Sequence, residues 1–102
     1  MRVLLEPVPL RQALTSHVVS TTYELGWSSL KNGDLIKAAN IEFDILVTTD
    51  QNLRYQQNLA NLKLAILVLP FASWPKIQDC LEKIVAAVNS LRPGDYVEFT
   101  LG

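Results

Sequence analysis

Glu6, Asp34 and Asp50 each stand beside an apolar run, and Asn52 follows Asp50 by two residues. Three carboxylates and one amide form an all-oxygen donor set. Such a set suits a hard divalent cation, Mg²⁺ or Mn²⁺, which keeps several waters when bound. Carboxylates crowded together repel one another and are costly unless a cation neutralises them. A hydrated divalent ion activates water and stabilises the charge of phosphodiester cleavage, so the chemistry expected of Glu6, Asp34, Asp50 and Asn52 is metal-assisted hydrolysis. A plainer role stands beside this one. Asp34 is placed as the N-cap or first-turn acid of a helix, and Asp50 as the cap of a helix that follows it. Glu24 and Glu42 read as solvated surface acids.

The elements that must position these groups alternate along the chain. Arg2 to Leu5 is a short apolar run ended by Pro7 and Pro9, which reads as a buried strand. Leu10 to Leu14 fits a short helix. The β-branched run from His17 to Thr21 predicts a second strand. Tyr23 to Leu30 has no clear period and reads as a loop packed by its own large side chains. Asn32-Gly33-Asp34 reads as a turn or a helix start, and Leu35, Ile36, Ala38 and Ala39 fit a short helix behind it. Asp44 to Thr49 predicts a third strand, and Gln51 to Asn58 a helix behind it. Leu64 to Leu69 is apolar on both faces, as a central parallel strand should be. From Ser73-Trp74-Pro75 onward, Ile77, Leu81, Ile84, Val85, Val88 and Leu91 recur at helical spacing and predict one long helix. Arg92-Pro93-Gly94-Asp95 ends it. Val97, Phe99 and Leu101 then alternate with Tyr96, Glu98 and Thr100, giving a last strand with one exposed face.

This alternation predicts a single α/β domain over residues 1–102 with a mainly parallel central sheet of about five strands. In such sheets the sites lie beyond the carboxyl ends of the strands. Glu6, Asp34 and Asp50 fall at those ends, and no comparable group of acids is expected at the opposite rim.

Composition sets the outer limits. A chain of 102 residues with 49% apolar and 19% charged residues is long enough to bury a core and is not of disordered type. Cys80 is the only cysteine, so the expectation is a fold that needs no internal disulfide. Cys80 itself reads as a small buried hydrophobe. The start of the chain lacks the apolar stretch of a signal peptide, and the run from Leu64 to Leu69 is too short to span a bilayer, so a cytoplasmic protein without membrane contact is expected. The formal net charge of -1 leaves any nucleic-acid binding to a local basic groove. Arg54, Lys31 and Arg11 are the cations nearest the acidic set, with Arg54 and Lys31 the candidates for holding phosphate. Tyr55 reads equally as a base-stacking or a packing residue. Trp27 and Trp74 read as core or interface anchors. Lone His17 has no catalytic partner. CxxC, HExxH, P-loop and GxGxxG patterns are absent.

The segments Tyr23-Glu24-Leu25-Gly26-Trp27-Ser28-Ser29-Leu30-Lys31-Asn32-Gly33-Asp34-Leu35 and Phe43-Asp44-Ile45-Leu46-Val47-Thr48-Thr49-Asp50-Gln51-Asn52-Leu53 resemble the small stand-alone PIN-like proteins of the PIN nuclease superfamily. The likeness runs from Met1 to the end of the long helix and is most specific from Thr48 to Asn58. It implies a three-layer sandwich and cleavage of single-stranded RNA with Mg²⁺ or Mn²⁺. In the toxin branches it also implies pairing with an antitoxin. The family pattern has an acid after the first strand, one at the helix start and one after the strand ending Thr-Thr; here these are Glu6, Asp34 and Asp50. Two departures stand out. The family's first strand usually ends Leu-Leu-Asp-Glu, where this chain reads Leu4-Leu5-Glu6-Pro7, and Asn52 occupies a position that is often acidic. These departures support an alternative, a catalytically silent PIN-like module that works by binding a partner protein or a second copy of itself.

Overall fold

The structure, a computed structural model, describes residues 2–6, 18–27, 29–30, 32–49, 62–71 and 73–100. Five strands run in chain order: β1 (Arg2–Leu5), β2 (Val18–Thr21), β3 (Ile45–Thr48), β4 (Ala65–Val68) and β5 (Tyr96–Glu98). Three helices are found among the described residues: α1 (Asn32–Glu42) between β2 and β3, and α2 (Trp74–Asp79) and α3 (Leu81–Ser90) between β4 and β5. The strands form one sheet in the order β2-β1-β3-β4-β5, and every pairing is parallel. The expected α/β sandwich is therefore present, with an all-parallel rather than mainly parallel sheet.

Alternation sorts the side chains into two layers. Val3, Leu5, Ile45, Val47, Ala65 and Leu67 face Ile77, Ile84 and Val88 of α2 and α3. Leu4, Leu46, Ile66 and Val68 face Leu35, Ile36 and Ala39 of α1, with Phe43 just beyond it. β3 and β4 are buried at every position, which is why their sequences are continuously apolar. Strand order reverses between β1 and β3, since β1 is followed in the chain by its neighbour on one side and β3 lies on the other.

The connections have an unusual geometry. The crossover from β2 to β3 and that from β4 to β5 step in the same direction along the sheet. Two right-handed crossovers stepping the same way would put their helices on the same face. Here α1 and the α2–α3 pair cover opposite faces, so these two connections have opposite hands.

Three sequence expectations need correction. The long helix is broken at Cys80, whose φ of -111° and ψ of 13° lie outside the helical region. The Cys80 N–H donates to the Ile77 carbonyl in a tighter closure, and the Ile84 N–H donates to the Cys80 carbonyl as the next helix begins. The apolar stripe survives the break because Ile77, Ile84 and Val88 stay on one layer, so spacing alone could not reveal it. Cys80 is half-buried against that layer. The segment after β2 is not packed by its own large side chains: Trp27 is half-buried, edge-on to Phe43 at 6.0 Å, while Tyr23 is 77% exposed. At the last strand Val97 is exposed while Phe99, just past β5, is buried, because β5 is an edge strand that leaves one side uncovered. The expected helices at Leu10 to Leu14 and Gln51 to Asn58, the start of β2 at His17, and the side chain of Trp74 lie outside the described residues. No helix among the described residues is long and apolar enough to cross a membrane.

β5 enters the sheet through a turn that only glycine fits. The Asp95 N–H donates to the Arg92 carbonyl at 3.0 Å, Pro93 holds the second position, and Gly94 has φ +83°. These are the marks of a type II turn. A Cβ on Gly94 would also meet the Leu62 carbonyl oxygen at 3.1 Å. Gly94→Ala is expected to destabilise the fold by about 1–2 kcal/mol, read as a lower urea midpoint with an unchanged slope.

Candidate metal centre

The sheet's backbone ladder continues one residue past the carboxyl end of most strands. Thr22 N–H donates to Leu5 O at 3.0 Å, Glu6 N–H to Val47 O at 3.0 Å, Leu69 N–H to Thr48 O at 2.8 Å and Phe99 N–H to Val68 O at 2.8 Å. These bonds and the strand registers line up one row across the rim: Thr22, Glu6, Thr48, Val68 and Glu98. Val68 lies in the layer beneath α1, so the alternation assigns Glu6, Thr48 and Glu98 to the same face.

α1 begins over this row. β2 ends at the carboxyl rim and β3 begins at the amino rim, so the helix between them starts at the carboxyl rim. Asp34 sits in its first turn, exposed, where a negative charge also favours the helix dipole. Glu6 is half-buried and Thr48 fully buried. The topology thus brings Glu6 and Asp34 to one rim and one face of the sheet. Asp34 is a first-turn acid rather than an N-cap, since α1 begins at Asn32.

Asp50, Asn52, Arg54, Lys31, Arg11 and Tyr55 lie outside the described residues. Thr49, the residue before Asp50, follows β3 directly. Among the described residues no three His, Cys, Asp or Glu side chains gather closely enough to hold an ion. The pair Glu6 and Asp34 is the described part of the expected set.

Glu24 does more than meet solvent. Its Oε1 accepts from the Thr21 N–H at 3.2 Å and the Thr21 hydroxyl at 3.1 Å, while the Thr21 Oγ1 accepts from the Glu24 N–H at 3.1 Å. This reciprocal turn closes the chain as it leaves β2 toward the helix that carries Asp34. The Trp27 N–H donates to the Thr22 carbonyl at 2.8 Å and continues the same turn. Glu42 is solvent-exposed, as expected.

Sequence reasoning passed over Glu98. The register of β5 against β4 sets it beside Val68, a pairing that local sequence does not reveal. Glu98 edges a cleft of about 220 Å³ with Val68, Pro70 and Phe99 at the carboxyl rim. It stands two strands from Thr48, about 10 Å away, too far to share one ion with Glu6. At the opposite rim Asp44 Oδ2 accepts from the Arg2 N–H at 2.8 Å and Asp95 Oδ2 from the Arg92 N–H at 2.9 Å.

The Thr21–Glu24 turn gives a direct test of how Asp34 is delivered. Thr21→Val and Glu24→Ala are each expected to cost about 1 kcal/mol, and the double variant about the same as either alone, because one shared motif is lost. Chemical denaturation of the four proteins reads this coupling.

Comparison of the chain with models of known protein families, with curated proteins and with solved structures gives no match.

Proposed function

We propose that this chain is a Mg²⁺- or Mn²⁺-dependent ribonuclease of the PIN-like kind. The observation that supports the reading is the topology, which puts Glu6, directly after β1, and the first turn of α1, which bears Asp34, at the same rim of the sheet. That rim is also where the chain leaves β3 for Asp50. Carboxylate oxygens are the donors a hard divalent cation takes, so the residues fit the ion. Bound there, Mg²⁺ or Mn²⁺ would supply an activated water and charge neutralisation at the scissile phosphate.

The chain's own residues have separate tasks in this reading. Glu6, Asp34 and Asp50 hold the ion through carboxylates, with the Asn52 amide oxygen as a neutral fourth donor. Glu6 enters from a strand whose main chain is fixed on both sides, by Thr22 to Leu5 and by Glu6 to Val47. That rigidity keeps its carboxylate aimed, which a productive site needs. Asp34 enters from the first turn of a helix, and its exposure leaves it open to water and substrate. Arg54 and Lys31 would draw the phosphates of single-stranded RNA to the rim. In the toxin setting an antitoxin would cover that rim.

Mn²⁺ titration followed by calorimetry, run beside cleavage of a labelled single-stranded RNA, tests the proposal. The expected result is millimolar or tighter binding, with cleavage that stops on chelation. Both should be lost in Asp50→Ala and weakened at least about tenfold in Glu6→Gln. A folded protein that binds no divalent ion at millimolar concentration sinks the nuclease reading.

A second reading has one observation in its favour. Val18, Tyr23, Leu25 and Leu30 are apolar yet exposed, and all lie on β2 or the segment after it. Exposed apolar groups collected on one edge suit contact with a protein partner. In that case the chain is a catalytically silent module that binds an antitoxin-like protein or a second copy of itself. Sedimentation across a concentration series separates the readings: a stable dimer without metal-dependent cleavage favours the module, and a monomer with chelator-sensitive cleavage favours the enzyme.

A further inference from the structure

We draw no further inference here: the strongest candidate, the cleft of about 360 Å³ at the amino rim of the sheet, carries nothing because Glu42, Asp44 and the adjacent Asp95 offset the cations Arg2, Lys63 and Arg92, so that nothing in the structure selects a ligand for it.

Discussion

A parallel sheet covered on both faces leaves its main chain nowhere to go but sideways. In β3 and β4 every residue is buried, so each N–H and C=O must be met by a neighbouring strand. That single requirement organises the rest. It forces continuous apolar sequence in the middle of the sheet, and it keeps charged side chains out of β3 and β4. It also makes the rims rigid, because the last ladder bonds hold the residues that follow the strands. Glu6 inherits its position from this lattice, as do Arg2 and Asp44 at the other end.

The two rims use acidic groups differently. At the amino rim Asp44 accepts from the N–H of Arg2, where β1 begins, and Asp95 from the N–H of Arg92, in the turn that leads into β5. At the carboxyl rim Glu24 does the same kind of work on Thr21, but Glu6 and Asp34 enter from different elements onto a shared face. The nuclease reading draws on that second pattern.

Much of this was legible in the sequence, for physical reasons that differ from place to place. β3 and β4 were plain because double-sided burial writes an unbroken apolar run, and α1 was plain because Asn32-Gly33-Asp34 marks its start. The break at Cys80 was not, since no proline or glycine stands there and the apolar spacing passes through it in phase. Exposure of Tyr23 and Val97 was hidden for another reason. Both lie at sheet edges, and whether an edge is covered depends on neighbours that local pattern does not encode. Of the candidate site, the rim positions of Glu6 and Asp34 followed from element order alone. Glu98 needed the register of β5 against β4, a long-range pairing that no window of sequence contains. The opposite hands of the two crossovers were likewise beyond reach, because chain order fixes neither the strand order nor the face a helix will cover.

β5 is only three residues long, half uncovered, and joined to the rest through a turn that tolerates glycine alone. Yet it is the sole described strand shielding the outer side of β4, a stretch apolar on both faces. Nicking the chain near Pro93 would strip that guard and leave a sticky template for other copies to pair with, the starting point of fibres. The shortest strand in this sheet is therefore also its gatekeeper against self-assembly.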